Sequence, residues 1–484
     1  MKKSHRDFSS CRPFPTVITI LVLGAAASGC ASFTPDKGMS VVADITATSL
    51  GKEAVAIRTE EEAAAARASV EKILRRPLTA DTAVQIALLN NRGLQAAYNE
   101  LGIAEAVRVQ ASLPPNPTFV VERLSSPVEI ELEMRIVANI LSLLTLPARA
   151  EIATERFRQA QLRAAEETLR VAQDARRSFY RAVAARELVT FLAQSQSAAE
   201  TATEFAKRLG ESGAINKLDQ AREQVFYAEI TAQLGSARQR TASERERLTR
   251  IMGLWGNDLN FKLPGALPQM PARPHSLPTV ETEAVARRVD LQIARIELAA
   301  VSKNLGLTEA TRFINLLEVS GISQKKTERE TGERERAKGF ELELQIPIFD
   351  GGEVRSRQAS EAYLQAVNRL IDRAVAVRSE ARDAYRTYRS AYDIAAHYRR
   401  EVLPLRKIIS EETLLRYNAM QIDVFSLLAE ARQRIAATIA AIEAQREFWV
   451  AKTNLLSAIV GGGMGQGGGE SASASAPAAE EGGH

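Results

Sequence analysis

The side chains that most often carry out catalysis or hold metal ions are few in this sequence and stand far apart. The chain has 484 residues, with four histidines and two cysteines. An enzyme needs several titrating groups that converge on one pocket, and a structural metal site needs closely spaced ligands. The histidines are instead dispersed along the chain: His5, His275, His397 and His484. We therefore predict that the protein is not an enzyme and holds no cofactor and no metal ion.

Two short segments combine a charged face with an apolar face. Residues 131–136 read Glu-Leu-Glu-Met-Arg-Ile, and residues 341–346 read Glu-Leu-Glu-Leu-Gln-Ile. Because successive side chains of a β-strand point to opposite faces, each segment places its charged or polar side chains on one face and its apolar side chains on the other. Such a strand fits a sheet that separates lipid from water. It fits a β-sandwich with one face in solvent equally well.

Each alternating segment is predicted to lie in a β-hairpin. The first hairpin is expected at about 117–138 and the second at about 313–349, where a very polar loop over 324–338 joins the strands. Two hairpins give four strands, and an open sheet of four strands has two unpaired edges. A bacterial transmembrane barrel needs about eight strands or more. If this sheet lies in a membrane, several chains have to contribute strands to one barrel.

The two hairpins occupy equivalent places in two copies of one unit. Residues 91–97 resemble residues 288–294, and residues 213–219 resemble residues 420–426, in the same order along the chain. Similarity at a long, nearly constant spacing indicates one structural unit used twice. The first repeat is assigned to residues 77–275 and the second to residues 276–460.

Each repeat is predicted to begin with two short helices and to end with two long ones. The long stretches are rich in Arg and Glu, and they cannot cross hydrocarbon, where each central charge costs about 2.5 kcal/mol or more. Pro404 is expected to break or kink its helix. The predicted helices are 79–92, 94–113, about 147–209, about 214–252, 279–289, 291–311, about 353–417 and about 422–460.

The last helix carries apolar residues at a spacing of seven: Leu428, Ile435, Ile442, Trp449 and Leu456. This spacing predicts coiled-coil contacts with the long helix before it. The alternative is one side of a globular core.

The amino-terminal 29 residues have the order of an export signal, with Lys and Arg first, then an apolar stretch and small residues. The segment Ala27-Ser28-Gly29-Cys30 looks like a bacterial lipobox, in which the cysteine thiol is acylated before cleavage. This resemblance predicts a lipoprotein that begins at Cys30 and carries palmitate, and Ala31 after the cysteine favours the outer membrane. An ordinary signal that is cleaved near Ala31 is the alternative.

The remaining segments have no strong periodicity. Residues 30–76 are predicted to form an extended, lipidated linker with one short helix at 63–67, and the Gly/Ser/Ala-rich tail at 461–484 is predicted to be disordered. The net charge of +4 comes from 63 basic and 59 acidic residues that are interspersed. Because a nucleic-acid-binding protein carries a one-sided basic stripe, we predict no nucleic-acid partner.

Four motifs lie at the junctions of these elements: Leu78-Thr79, Leu113-Pro114-Pro115-Asn116-Pro117, Pro347-Ile348-Phe349-Asp350-Gly351-Gly352, and Arg416-Tyr417 leading into Phe425-Ser426. With them, residues 78–461 resemble the TolC family of bacterial outer-membrane efflux proteins. The resemblance implies a mainly α fold with a small β part. In that fold a tandem-repeat protomer builds a trimeric 12-stranded outer-membrane β-barrel, continued by a long periplasmic α-helical coiled-coil barrel.

The same resemblance implies a function. The homotrimer is expected to be the outer-membrane exit duct of a tripartite efflux system. It would pass small molecules or metal ions from an inner-membrane pump and a periplasmic adaptor to the exterior, while its barrel contacts outer-membrane lipid. Two alternatives remain open, namely a duct for protein or peptide secretion and a structural coiled-coil lipoprotein of the envelope.

The resemblance also assigns residues to a periplasmic gate. Tyr417 matches the tyrosine of the gating network and Asp219 matches the aspartate that this tyrosine bonds to; simple packing at the helix ends is the alternative for Tyr417. Arg416 and Asp423 complete the expected gate. Ser426 stands where some members of the family carry an aspartate ring. The candidates for lining the pore are Ser426 and Glu430.

Overall fold

The computed structural model describes residues 32–463 and is mainly helical, with one small β-sheet, as the sequence predicts. The predicted signal peptide, Cys30 and residues 464–484 lie outside the described residues. The chain divides into two compact units. The described residues of the first unit are 32–41, Tyr98–Arg163 and Gln292–Asp372, and those of the second are Val42–Ala97, Ala164–Leu291 and 373–463.

Within the described residues, most of the chain lies in α-helices. In chain order they are α1 (Met39–Leu50), α2 (Glu60–Leu74), α3 (Ala80–Asn90), α4 (Arg92–Ala111), α5 (Ile140–Leu144), α6 (Leu146–Glu211), α7 (Lys217–Met252), α8 (Val280–Arg287), α9 (Val289–Ala310), α10 (Glu353–His397), α11 (Leu403–Asn418) and α12 (Val424–Val460). A short 3₁₀ helix covers Gly256–Asn260, and a π-helical turn covers Tyr398–Val402. None of these helices is long and apolar enough to span a membrane.

The first unit contains a four-stranded antiparallel sheet. Its strands are β1 (Thr118–Ser125), β2 (Glu129–Asn139), β3 (Leu316–Glu328) and β4 (Arg334–Gln345), in the spatial order β1-β2-β3-β4. The pairs β1–β2 and β3–β4 are hairpins, and the β2–β3 pairing joins the hairpin of one repeat to that of the other. The two copies of the repeat therefore build one continuous sheet.

The two hairpin turns are stabilised locally. Ser126 donates its N–H to the Glu129 carbonyl at 2.9 Å, and its hydroxyl accepts the Glu129 N–H at 3.0 Å. In the second turn, the Glu328 N–H donates to the Glu333 carbonyl at 3.0 Å. Gly332 takes the left-handed conformation there, with φ of +71°. Both turns lie at the same end of the sheet, because Glu129 after the first turn pairs with Glu328 before the second.

The chain leaves β4 through a tight turn that requires glycine. The Gly351 N–H donates to the Pro347 carbonyl at 2.8 Å, and Gly351 and Gly352 have φ of +57° and +72°. A Cβ atom on Gly352 would overlap the Arg312 carbonyl oxygen, whereas a Cβ atom on Gly351 would have nothing within 4 Å. The two glycines are thus needed for different reasons: one for backbone conformation alone, the other also for close approach of the backbone.

In the second unit, small and aromatic side chains pack the long helices. Leu188 and Leu192 of α6 contact Leu234 of α7, and Ile439 of α12 packs against this cluster. Farther along α12, the Trp449 ring stacks on Tyr180 of α6 with ring centroids 5.1 Å apart. The predicted contact with the long helix before α12 is present as well, because the Phe448 ring lies 5.7 Å from those of Tyr388 and Tyr392 in α10.

The seven-residue spacing does not describe the whole of α12. Ile442 and Trp449 are buried, but Leu456 is 37% exposed while its neighbour Leu455 is buried. An α-helix has 3.6 residues per turn, so a strict seven-residue stripe drifts by about 20° per heptad around a straight helix. By the fifth position the drift has carried Leu456 out of the packed side.

Pro404 widens the helix and does not break it. The Leu403 N–H donates to the Tyr398 carbonyl, which is five residues earlier, and the π-helical turn lies directly before Pro404. Proline has no N–H to donate, and its ring would collide with the carbonyl of the fourth residue before it. A wider π turn moves that carbonyl away. Of the break or kink expected at Pro404, the break is absent, and the helix is disturbed locally by a π bulge.

The segment over 30–76 differs from the extended linker that the sequence predicts. Where the structure describes it, it contains α1 and α2. The start of α2 has a capping box, in which Thr59 and Glu62 bond each other's backbone N–H groups. The stretch between the helices is held by Gln95, whose amide accepts the Ile57 N–H at 2.8 Å and donates to the Val55 carbonyl at 3.0 Å. These long-range bonds leave no periodic signal in the sequence.

The two glycines after β4 allow a matched stability test. We expect Gly351→Ala to cost about 1–2 kcal/mol, because an L-residue in the left-handed region loses that much. Gly352→Ala should cost clearly more, because its Cβ also meets the Arg312 carbonyl oxygen. Guanidinium unfolding of the purified full chain, followed by circular dichroism, measures both. Equal losses of unfolding free energy for the two variants would contradict the close approach of Gly352 to the Arg312 carbonyl oxygen.

Candidate functional site

The strand register places every acidic residue of the sheet on one face. Residues directly opposite in an antiparallel pair share a face, as do residues two apart in one strand. The pairing of Glu131 with Lys326 and of Lys326 with Glu335 connects this face across β2, β3 and β4. We call it the acidic face. It carries two cations, Arg135 and Lys326, and nine carboxylates: Glu122, Glu129, Glu131, Glu133, Glu318, Glu328, Glu335, Glu341 and Glu343.

The two cations neutralise only part of the acidic face. Arg135 lies 2.7 Å from Glu133 and 3.7 Å from Glu341, and Lys326 lies 3.7 Å from Glu131. Other carboxylates stand directly opposite one another, as Glu318 does with Glu343. Like charges in that position destabilise a sheet. The arrangement therefore does not serve the stability of the sheet; it provides a fixed negative field in front of this face.

The opposite face of the sheet, which we call the apolar face, is exposed along much of its length. Phe119 is 62% exposed, Phe340 84% and Leu342 59%. The register links Phe119 through Ile136 and Gly321 to Phe340, so these positions form one row across all four strands. Contiguous exposed apolar surface of this kind marks a contact with lipid or with another chain.

A second candidate region lies at two helix-end turns, residues 212–216 between α6 and α7 and residues 419–423 between α11 and α12. Both turns close their helix in the same way, since the N–H groups of Ala214 and Gln421 each bond a carbonyl five residues back at 2.9 Å. The preceding residues, Gly213 and Met420, have φ of +78° and +57°. Met420 thus adopts the conformation that glycine takes in the first repeat.

The two aspartates predicted for the gate stabilise the starts of their own helices. Asp423 caps α12 by accepting the Ser426 N–H at 2.8 Å, and the hydrogen bonds from Ser426 lower the pKa of Asp423. Asp219 lies in the first turn of α7, where it accepts a hydrogen bond from the Asn216 amide at 2.8 Å and pairs with Arg222 at 3.0 Å. Both carboxylates are therefore oriented by local contacts.

Tyr417 and Arg416 lie in the last turn of α11. Within residues 32–463, no hydrogen bond joins Tyr417 to Asp219, whose two carboxylate oxygens already bond Asn216 and Arg222. Ser426 is exposed, while Glu430 is largely buried and pairs with Arg406. The gate role of Tyr417, Asp219, Asp423 and Arg416, and the pore-lining role of Ser426 and Glu430, stay predictions.

Two ion pairs that the sequence analysis did not identify join helices near these turns. Arg432 of α12 lies 2.6 Å from Glu223 of α7, and Arg406 of α11 lies 3.1 Å from Glu430 of α12. We call these pairs the helix ties. Arg432 also lies over the Phe226 ring, 4.6 Å from its centroid. Because charged residues recur throughout these helices, spacing alone does not distinguish a tie from a solvated pair.

Glu223 is the most buried member of the two ties. Its side chain is 3% exposed, and its second oxygen has no hydrogen-bond partner among the described residues. Burial raises the pKa of the Glu223 carboxyl, and the Arg432 charge opposes that shift without cancelling it. Removal of Arg432 would leave a buried carboxylate without its counter-charge.

One histidine has an acidic neighbour, so it has to be examined as a possible metal ligand. His397 Nδ1 lies 3.1 Å from Glu401, one helical turn later, and both side chains are exposed. Among residues 32–463, no three His, Cys, Asp or Glu side chains are placed to share a metal ion.

Comparison with known proteins agrees with the predicted family. Residues 282–410 match the family described as outer membrane efflux protein. The cobalt-zinc-cadmium resistance protein CzcC of Cupriavidus metallidurans is 27% identical over 290 residues, which cover 57% of this chain and 64% of that relative. The chain thus spans less than two thirds of this curated relative's length.

Solved structures agree on the fold. The Campylobacter jejuni CmeC outer membrane channel superposes with a TM-score of 0.63 at 15% identity, covering 87% of this chain and 92% of that one. The open state of the Neisseria gonorrhoeae MtrE outer membrane channel superposes with a TM-score of 0.64 at 16% identity, covering 78% and 88%. The arrangement of helices and strands is therefore that of these channels.

The buried carboxyl of Glu223 gives a pH test. Because its pKa in the folded chain is raised above the ordinary 4.5, the folded state binds the proton more tightly than the unfolded state does. Wild-type stability should therefore fall, relative to Glu223→Gln, as pH rises from 4.5 through the raised pKa. Melting temperatures of both proteins between pH 4 and pH 8 check this. Glu204→Gln removes an exposed carboxylate of α6 and should leave the wild-type profile unchanged; parallel profiles for wild type and Glu223→Gln would contradict the assignment.

Proposed function

We propose that the chain, whose residues 282–410 match the outer membrane efflux protein family, forms a trimeric exit duct in the bacterial outer membrane. Each protomer contributes its four strands to one barrel of twelve. Support comes from the sheet itself, whose edge strands β1 and β4 are exposed along their whole length. Neighbouring strands alternate in direction, so β4 of one protomer can pair with β1 of the next in antiparallel fashion.

Closure of the barrel assigns the two faces of the sheet. The apolar face turns outward to lipid, where backbone groups must all be paired and side chains must be apolar. The acidic face turns inward and lines an aqueous pore. We propose that Cys30 carries an additional lipid anchor in the same membrane. The observation that carries the proposal is the segregation of nine carboxylates to one face of a sheet whose other face is exposed and apolar.

We infer that the cargo is small and that cations pass preferentially. A pore lined by three copies of the acidic face has a strong excess of negative charge, and such a field concentrates cations. The relative CzcC is named for resistance to cobalt, zinc and cadmium, which are cations. The duct itself is passive: an inner-membrane pump supplies the energy, and a periplasmic adaptor joins pump and duct.

We propose that the helix-end turns and the helix ties form the periplasmic gate. α12 is held to α7 by Arg432–Glu223 and to α11 by Arg406–Glu430, so both ties have to change when α12 moves. Tyr417, Asp219, Asp423 and Arg416 lie on the adjoining turns and act with them, and Ser426 faces the passage. Charged pairs that exchange partners are a common basis of two-state opening.

The selectivity of the pore tests the assignment of the acidic face. Purified protein in a planar bilayer with a KCl gradient should give a reversal potential that indicates preference for K⁺. Glu341→Gln/Glu343→Gln should lower the cation-to-anion permeability ratio several-fold, because the local field weakens. Glu330→Gln/Glu333→Gln removes two carboxylates from the β3–β4 turn and should change the ratio little. A wild-type chain that stays a monomer without conductance overturns the duct and favours a structural coiled-coil lipoprotein.

The gate is tested by cutting both ties. We expect Arg406→Gln/Arg432→Gln to raise the ratio of open to closed channels about tenfold, which corresponds to about 1.4 kcal/mol lost from the closed state. Single-channel recording measures this ratio. Arg208→Gln is the matched control, because it breaks an exposed pair within α6 that joins no helices. If the control opens the channel as much as the double variant does, the ties are not part of the gate.

A further inference from the structure

The apolar face of the sheet ends in a row of positive charges. Arg123 lies opposite Leu132, Leu132 opposite Lys325, and Lys325 opposite Arg336, so three cations stand in one row across the four strands. Two more cations flank this row on β4, where Arg334 is opposite Thr327 and Lys338 is opposite Ser323. We call this set the basic band; its members are Arg123, Lys325, Arg334, Arg336 and Lys338.

The basic band has no acidic side chain near it on the same face. Every carboxylate of the four strands lies on the acidic face. Among the ion pairs of the described residues, none involves Arg123, Lys325, Arg334 or Arg336. The neighbours Lys325 and Lys326 show the separation most clearly, because Lys326 pairs with Glu131 while Lys325 points to the other side. The charges of Arg123, Lys325, Arg334 and Arg336 are thus available to an external anion.

The basic band lies at one end of the strands, on the side of the hairpin turns. It lies in the half of the sheet next to the two hairpin turns. The other half of the same face carries Phe340, Leu342 and Leu344 on β4, all exposed. The strand ends there lead into charged helices that cannot enter hydrocarbon. In a membrane, the apolar rows therefore lie among acyl chains and the basic band lies at the headgroups on the side of the turns, which is the outer leaflet.

We propose that the basic band binds the phosphate groups of the phosphorylated glycolipid of the outer leaflet. The inference rests on the proposed membrane-spanning barrel, since it needs the apolar face to be in lipid. Guanidinium groups form paired hydrogen bonds with phosphate oxygens, and the aliphatic parts of Arg and Lys can lie along apolar surface while their charges reach the headgroups. Three protomers place three such bands around the barrel, which sets its depth in the leaflet.

The proposal is tested by measuring lipid binding to variants of the basic band and to a control variant at the neighbouring residue of β3. The purified full-length trimer in dodecyl maltoside is titrated with diphosphoryl lipid A, or with the same lipid after removal of its phosphates, and bound lipid is counted by native mass spectrometry. Lys325→Gln should weaken binding about fivefold, and Arg123→Gln/Lys325→Gln/Arg336→Gln roughly a hundredfold, because each basic residue near a lipid surface contributes a similar increment. Removal of the phosphates should weaken wild-type binding to the level of the triple variant.

Lys326→Gln is the matched control, since it removes the same charge one residue away on the acidic face, and its binding should stay within about twofold of wild type. Equal binding by wild type and triple variant, or binding that ignores the phosphates, overturns the proposal. If the triple variant yields no trimer, the same lipid titration is made with the single variants Lys325→Gln and Arg336→Gln. Conductance is recorded for each protein: a conducting trimer without phosphate-dependent binding overturns this inference alone, whereas a wild type without trimer or conductance overturns the proposed function.

Discussion

Hydrogen bonding of the backbone at the sheet edges is the constraint on which the proposed molecule depends. β1 and β4 each present a row of N–H and C=O groups that have no partner strand in the described chain. In water such edges bond solvent, but in hydrocarbon each unpaired group costs several kcal/mol. A four-stranded sheet can enter a membrane only if copies of itself complete the hydrogen bonding. Strand count therefore requires strands from at least two protomers in one barrel, because a transmembrane barrel needs about eight strands or more; the proposed trimer meets this requirement.

In the proposed barrel, the odd or even position of each residue along its strand decides whether its side chain faces lipid or the pore. A shift of one position along a strand moves a side chain from lipid to pore. This explains how Lys325 and Lys326, which are adjacent in sequence, can serve different purposes, and why Glu341 and Glu343 flank Leu342. The opposed carboxylates of the acidic face reduce sheet stability, and the loss is tolerable because barrel closure adds hydrogen bonds along every edge. Selection for the pore and selection for the membrane thus act on alternate residues of the same strands.

The parts of the fold that follow from local periodicity were predictable from the sequence. Strand alternation has a period of two, so residues 131–136 and 341–346 identify both hairpins without any knowledge of their partners. The repeat then predicts that the halves are built alike, as the turns at Gly213 and Met420 are. What depends on distant residues was not predictable: the path of residues 51–59 is held by Gln95, and the tie of Glu223 to Arg432 joins residues more than 200 positions apart.

The helical unit raises the question of how a few ion pairs can matter among so many charged residues. Many of its pairs join residues of one helix, three or four positions apart, and exposed pairs of that kind contribute only about 0.3–0.5 kcal/mol. The helix ties connect different helices, as Arg240–Glu443 also does, but they lie closer to the helix-end turns and include the buried Glu223. Both ties fall within three residues of α12, at Glu430 and Arg432, which bond different neighbouring helices. In the proposed gate, a rotation or shift of α12 disturbs both ties, because their residues on this helix are only two positions apart. Such a short stretch of one helix, placed between two partners, would couple the movement of the three helices.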